Sequence, residues 1–388
     1  MRLLDSETYR HDVMLIARLP LDWGKLAGAR VVVSGASGMI GSFLIDVLMA
    51  RDAQCGQGCT IHALARDARA LEERFASYAG DPRLVVTSTD VTRGPIELSP
   101  GTGGVPAGER VTDELVDAGA LTRPCYIIHA ASNTHPVAYA TDPIGTITAN
   151  VEGTLSMLRL ARRMGARRAV FLSTVEVYGE NRGDVERFGE QDLGFIDCNT
   201  LRAGYPESKR TGEALCQAFR AQYGLEVVIP RLPRVYGPSM RVDDTKALSQ
   251  FLVRAARGQD IVLKSEGTQF FSYCYVADAV AAVLTCMLAG EDGQAYNVAD
   301  PSGDIHLKDL ARLVADAAGT RVVFNLPDEV ERRGYSTATR ALMDGGKMAS
   351  LGWRPMYDME QGVERTLRVL KETMGLIADL RPTRPSSS

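Results

Sequence analysis

Between residues 29 and 232, six short apolar, β-branched runs alternate with segments of helical spacing, and this restricts the chain to few architectures. The runs are ARVVVSG (29–35), TIHALA (60–65), RLVVTSTD (83–90), CYIIHAAS (125–132), RRAVFLST (167–174) and LEVVIPRL (225–232). Helical spacing marks GSFLIDVLMA (41–50), ALEERFASY (70–78), and residues 146–164 and 206–224. Strands separated by helices run parallel, and a parallel sheet needs helices on both faces. The expected class is α/β, a doubly wound parallel sheet occupying residues 29–238, with a later segment near 270–300 returning to it.

After Pro238 the alternation loosens. Helical segments at 245–258 and 307–319 and short strands at 261–263 and 322–324 describe a smaller α/β lobe within residues 239–380. The final helix is expected at 361–380, and the tail RPTRPSSS (381–388) reads as disordered. Residues 1–28 read as an extension that packs on the body through Met14, Leu15, Ile16 and Leu19. The Pro- and Gly-rich stretch 93–110 reads as a surface insertion.

A net charge of −4 over 388 residues gives no electrostatic reason to expect nucleic acid or an anionic membrane as partner. No apolar run reaches the ~18 residues of a membrane span. The first residues, MRLLDSETYRHD, lack the pattern of a secretion signal, so a cytoplasmic location is expected. Seven scattered cysteines read as free thiols, and the Cys55/Cys59 pair lacks the partners of a zinc site, so no metal is expected.

The first run ends in Gly35-Ala-Ser-Gly38-Met-Ile-Gly41, between a strand and a helix. In that position the glycines allow a tight turn and close approach of backbone to a pyrophosphate, while the helix N-terminus offers unpaired N–H groups. Gly35, Ser37, Gly38, Met39, Ile40 and Gly41 are the expected pyrophosphate contacts of a nicotinamide dinucleotide. At the end of the second run an acid would bind a ribose 2′-hydroxyl and an arginine a 2′-phosphate. Ala65 stands where the acid is expected and Arg66 follows, which favours NADP over NAD. Asp67 would serve the unphosphorylated ribose if the turn is shifted by two residues, and Arg66 would then be a solvated surface cation. Asp90 and Val91 suit the adenine edge. The small residues Ala130, Ala131 and Ser132 leave room for the cofactor.

Tyr205-Pro-Glu-Ser-Lys209 sets two reactive side chains at i and i+4, on one face of a helix. A phenol of pKa ~10 is a poor base at neutral pH. A nearby ammonium and an oxidised nicotinamide would favour the phenolate, so Tyr205 could take a hydroxyl proton as hydride leaves carbon. Lys209 would also bond the nicotinamide ribose.

Taken together, GASGMIG, IIHAAS, NVEGTLSML (150–158), LSTVEVYG (172–179), YPESK (205–209), RVYGP (234–238), YVADAVAAVL (275–284) and LGWRP (351–355) resemble the extended short-chain dehydrogenase/reductase family in its nucleotide-sugar epimerase/dehydratase branch. The resemblance spans about residues 29–360. It implies a Rossmann-type domain, a C-terminal sugar-nucleotide lobe, and a homodimer formed through the helices around 150–163 and 206–222. It also implies that Thr174 bonds the substrate oxygen beside Tyr205. The cofactor then oxidises a sugar hydroxyl, usually at C4, to a ketone, which acidifies the neighbouring C–H bonds and permits elimination, epimerisation or decarboxylation; hydride is then returned or used to reduce the product.

Three positions depart from the family pattern. In 4,6-dehydratases the triplet at 174–176 is Thr-Asp-Glu, and decarboxylases and GDP-mannose dehydratases have serine at its middle position; here Val175 supplies neither group, while Glu176 remains as a candidate base for C5, or as a structural carboxylate. The family often has asparagine where Arg234 stands, and a diphosphate-binding arginine where Phe271 stands. Arg234, Arg241 or Lys264 could supply that charge, and Asn133 and Glu176 complete the expected substrate contacts. The aromatic residues at 270–275 suit a strand in the core better than a stacking platform. Two other readings stay open: an NADPH-dependent reductase of a non-nucleotide carbonyl, and a cofactor-binding scaffold without catalysis.

Overall fold

The computed structural model describes residues 2–98, 123–134, 139, 141–325 and 339–375. The expected insertion lies outside the described residues from position 99 onward, as does the tail 381–388. The chain enters through helix α1 (Glu7–Ala17) and begins its sheet with β1 (Arg30–Ser34). Helix α2 (Met39–Cys55), β2 (Thr60–Ala65), α3 (Ala68–Arg74), β3 (Leu84–Ser88) and β4 (Cys125–His129) follow. Next come α4 (Pro143–Arg163), β5 (Arg168–Phe171), its short continuation β6 (Ser173–Thr174), α5 (Gly204–Tyr223) and β7 (Val227–Leu232).

These strands form one parallel sheet in the order β7-β5-β4-β1-β2-β3, with β6 paired to β7. Val31 stands opposite both Ile61 and Tyr126. The β1 residues Val31, Val32 and Val33 have no exposed surface, because helices cover both faces of the sheet. A further strand joins beyond β7. After β8 (Arg234–Tyr236), α6 (Ala247–Ala256), β9 (Ile261–Leu263), β10 (Phe270–Tyr275) and α7 (Val276–Ala289), strand β11 (Gln294–Asn297) pairs parallel with β7.

The rest of the chain builds smaller sheets. Strands β12 (Asp304–His306) and β14 (Arg340–Ala341) flank β10, which also pairs with β8, and β13 (Val322–Phe324) pairs with β9. Helices α8 (Leu307–Ala318), α9 (Gly346–Ser350) and α10 (Met359–Thr373) complete the described chain.

Several helix starts differ from the sequence expectation by two or three residues, and two of them have a capping reason. Helix α4 begins at Pro143, with the Asp142 side chain accepting from the Gly145 N–H at 3.0 Å. Helix α10 begins at Met359, where Asp358 and Gln361 form a reciprocal capping box. Helix α2 buries Phe43, Leu44, Ile45, Val47 and Leu48, which is more than one face. It does so because α1 covers the side that would otherwise meet solvent.

Helix α1 docks through Tyr9, Val13, Ile16 and Ala17, spaced i, i+4, i+7 and i+8, with Met14, Leu15 and Leu19 only partly buried on its flank. Two buried carboxylates anchor it. Asp12 accepts from the Tyr275 hydroxyl at 2.7 Å, the Tyr357 hydroxyl at 2.7 Å and Arg365 Nε at 2.8 Å. Asp46 of α2 accepts from the Tyr9 hydroxyl at 2.7 Å and the Tyr78 hydroxyl at 3.0 Å, and it pairs with Arg74. Among the described residues no helix is long and apolar enough to cross a membrane. All seven cysteines are free.

Removing one partner of a buried ion pair strands the other charge. Asp12→Ala should therefore lower the unfolding free energy by about 3–5 kcal/mol, measured by urea denaturation; a loss below about 0.5 kcal/mol would contradict this account of the α1 anchor.

Candidate active site at the carboxyl ends of the central strands

Strand β1 delivers Gly35 in the left-handed region at φ +69°, where a Cβ would lie 2.7 Å from the Ala130 carbonyl carbon. A Cβ on Gly41 would stand 2.4 Å from the Gly35 oxygen. Glycine is thus required twice to bring the turn, the end of β4 and the start of α2 together. Gly38 is the N-cap of α2, so Met39, Ile40 and Gly41 present first-turn N–H groups that have no intrahelical acceptor. Ser37 is half-buried in the same turn. This is a cradle a dinucleotide pyrophosphate fits, because the backbone approaches closely and the helix dipole favours an anion.

At the next strand end Ala65 is half-buried and Arg66 is exposed. Asp67 is committed as the N-cap of α3, accepting from the Ala70 N–H at 3.1 Å. Asp90 accepts from the Thr92 N–H at 3.0 Å and the Thr92 hydroxyl at 2.7 Å. Burial opposes its charge, but these bonds and the nearby Arg66 and Arg93 guanidiniums hold its carboxyl below the usual range. Val91 is buried in the core, with its Cγ2 3.0 Å from where a Cβ on Gly153 would stand.

Behind the end of β4, a chain of hydrogen bonds links the strand to α4 and α5. The Ser132 hydroxyl donates to Asn150 at 2.6 Å, the Asn150 amide donates to Ser208 at 2.8 Å, and the Ser208 hydroxyl donates to the Tyr205 carbonyl at 2.8 Å. The Tyr205 hydroxyl lies close enough to Thr174, Ser132 and Tyr139 for each to act on its ionisation. Its ring stacks on Tyr139 at 4.8 Å between centroids. Thr174, Tyr205, Ser132 and the glycine turn thus converge at one end of the sheet.

Burial and the Glu176 carboxylate push the Tyr205 phenol above its ordinary value, against the lowering effect of those three side chains. Lys209 Nζ donates to the Leu172 carbonyl at 2.9 Å and lies 4.9 Å from the centre of the Phe171 ring. Burial pushes its ammonium down to about 8, with Glu213 and Cys216 acting in the opposite direction.

Glu176 lies between two guanidiniums, 3.7 Å from Arg202 and 3.5 Å from Arg234. Arg234 also sits over the Phe271 ring at 3.5 Å, and its Nη1 is buried without a hydrogen-bond partner. Strand β8 carries Arg234 alongside β10, which carries Phe271, so a cation stands next to the position where the family pattern has arginine.

The other expected substrate contacts are spread out. Asn133 is half-buried just beyond β4. Arg241 pairs with Asp243 at 2.8 Å and lies within electrostatic reach of Asp67, beside the β2–α3 turn. Lys264 is exposed after β9, in a sheet separate from the other two. Sequence reasoning missed Tyr139, Asn150, Ser208 and Arg202. Arg202 and Ser208 carried a signal, since each lies three residues from Tyr205, and Asn150 opens the NVEGTLSML segment. Among the described residues no cluster of three or more His, Cys, Asp and Glu side chains could hold a metal ion.

His129 closes the site from below, with Nδ1 2.7 Å from the Ser34 hydroxyl and Nε2 3.2 Å from the Thr154 hydroxyl. Burial first, then Lys209, push its imidazole down to about 3. In the unfolded chain the same group takes a proton near pH 6.5, so unfolding gains a proton at lower pH. Stability should therefore fall as pH drops from about 6.5 toward 3. His129→Asn should flatten that part of the stability–pH curve; an unchanged curve would contradict the neutral buried imidazole.

Comparison with known proteins gives this geometry its context. UDP-glucuronic acid decarboxylase 5 of Arabidopsis thaliana is 30% identical over 338 residues, which covers 86% of this chain and 87% of that one. UDP-glucuronic acid decarboxylase 2 of the same plant is 31% identical over 345 residues, covering 87% of this chain and 67% of that one. An epimerase from Methanothermobacter thermautotrophicus shares the fold with a TM-score of 0.72 at 21% identity, covering 94% of this chain and 96% of its own. A dTDP-glucose 4,6-dehydratase from Streptomyces venezuelae, solved with NAD bound, has a TM-score of 0.70 at 23% identity, covering 89% of this chain and 98% of its own. The pattern of the NAD dependent epimerase/dehydratase family matches residues 31–299, more than half of the chain. The chain belongs to this NAD dependent epimerase/dehydratase family and is an enzyme of that class.

Proposed function

We propose that the enzyme converts a nucleotide sugar through a transient 4-keto intermediate, with a nucleotide uronic acid as substrate and decarboxylation as the net reaction. The observation that carries this reading is the Tyr205 hydroxyl, close to Thr174 and Ser132 at the strand ends beside the glycine cradle, one helical turn from Lys209. When bound, the nicotinamide supplies the acceptor of hydride and later its donor. Gly35, Ser37, Gly38, Met39, Ile40 and Gly41 would hold the pyrophosphate, Asp90 and Val91 the adenine, and Ala130, Ala131 and Ser132 the nicotinamide side.

Tyr205 takes the proton of the sugar hydroxyl, and Thr174 orients that oxygen. Lys209 helps the phenol ionise and bonds the cofactor ribose. Val175 is apolar and buried, so it cannot protonate a departing hydroxyl. A 4-keto uronate needs no such acid: its C5–C6 bond breaks, carbon dioxide leaves, and the electron pair passes to the C4 oxygen as an enolate. Glu176, flanked by Arg202 and Arg234, can then handle the C5 proton. Those two guanidiniums exceed the single carboxylate by one charge, which suits an anionic substrate. UDP-glucuronic acid, named by the plant relatives, is the first substrate to test.

Turnover of UDP-glucuronic acid should release carbon dioxide with no net change in NAD(P)H absorbance. Tyr205→Phe should lower kcat at least about 100-fold, the scale of a lost general acid–base; unaltered activity on the true substrate would remove Tyr205 from the mechanism. Stoichiometric cofactor consumption would instead favour the simple reductase.

NADP is proposed over NAD because Asp67 is occupied as a helix cap and Ala65 carries no acid, leaving Arg66 at the selecting turn. Arg66→Ala should weaken NADP binding about tenfold, the cost of one lost charge-assisted contact, with little change for NAD; equal effects on both would remove Arg66 from cofactor selection. A homodimer through α4 and α5 is proposed as well. The two helices pack side by side, and Ile144 and Ile147 on α4 remain exposed.

A further inference from the structure

Glu213 lies two helical turns beyond Tyr205 and one beyond Lys209, so the three share one line along α5. Both of its carboxylate oxygens are held. Arg231 of β7 donates to Oε1 through Nε at 2.9 Å and to Oε2 through Nη2 at 2.7 Å, and the Ser173 hydroxyl donates to Oε1 at 2.5 Å. Ser173 immediately precedes Thr174 on β6. Arg231 is itself fixed by the Tyr178 hydroxyl at 2.9 Å and the Glu190 carbonyl at 3.0 Å. The Tyr178 hydroxyl in turn donates to Asn297 at 2.6 Å. One carboxylate thus joins the helix bearing Tyr205 and Lys209 to the strand bearing Thr174.

We propose that Glu213 is a positioning residue for the reaction, supplying the counter-charge to Lys209 and fixing Thr174 against the Tyr205–Lys209 helix. This rests on the reading of Tyr205 and Lys209 as the reacting pair. The groups that face Lys209 leave Glu213 as its charged partner. Its own helix adds only Tyr205 and the buried Cys216 thiol. Strand β4 contributes His129, which is neutral, and the segment from β5 contributes the Phe171 ring and the Leu172 carbonyl. The positive charge of Arg231 reaches this group of side chains through Glu213. An ion pair that served only to pack β7 on α5 would have no need of the bond to Ser173.

The test is the pH dependence of NADPH binding, read by cofactor fluorescence, in the full chain. Wild-type affinity should fall as pH rises through about 8, where Lys209 loses its charge. In Glu213→Gln that fall should begin about one pH unit lower, so that at pH near 8 binding is about fivefold weaker than in wild type, while at pH 6 it is similar. The double variant Glu213→Gln/Arg231→Met removes both charges, leaves no stranded cation if the single variant misfolds, and should keep the lowered limb. A limb at the wild-type pH in the folded single or double variant overturns the proposal. Lys209→Met is the separate control: it should abolish the limb, and a limb that persists there overturns the reading of Lys209 instead.

Discussion

A lysine ammonium that is only 3% exposed, at the end of a parallel sheet, has to be compensated by its surroundings, and much of the local architecture follows from that need. The strand ends supply a carbonyl from Leu172 and the face of the Phe171 ring. The helix supplies Glu213 at the next turn. Helix α5 thus runs from the Tyr205 phenol in its first turn to the paired Glu213 carboxylate further along. The geometry of an i, i+4, i+8 line does what a loop could not, because it sets three polar groups at fixed depth against one sheet. The same arrangement explains why β6 must pair with β7: without that register Ser173 would not reach Glu213, and Thr174 would lose its fixed place beside Tyr205.

What the sequence displayed was local in origin. Strand–helix alternation, the glycine spacing and the Tyr205–Lys209 interval all lie within single elements or single turns, so their physical meaning could be read without knowing what packs on what. The boundary differences were local too, since Asp142-Pro143 and the Asp358–Gln361 box are capping signals written in adjacent residues. The substrate side was far less legible. Tyr139 meets Tyr205, and Arg202 and Arg234 meet Glu176, only through tertiary contacts. The position of Phe271 gives the sharpest case. Read along the chain it looked like a lost cation, whereas the pairing of β8 with β10 brings Arg234 onto its ring. Hydrophobic patterning caught only part of α1: Ile16 is buried and Leu19 packs against the core, but the buried stripe starts at Tyr9 and includes a charged group, Asp12. A buried aspartate is invisible to periodicity because its partners, Tyr275, Tyr357 and Arg365, come from distant elements.

Those distant partners carry a consequence for how the chain reaches its native state. The Asp46 network closes over 28 to 37 residues, so α1 can settle on α2 and α3 soon after they are made. The Asp12 network waits for Arg365, 353 residues downstream. At a synthesis rate of roughly 5–20 residues per second, that interval lasts roughly 20–70 seconds. During it Asp12 lacks the Arg365 guanidinium and the Tyr357 hydroxyl that hold it in the folded chain. Docking of α1 is therefore complete only once α10 is available, through a contact that spans almost the whole described chain.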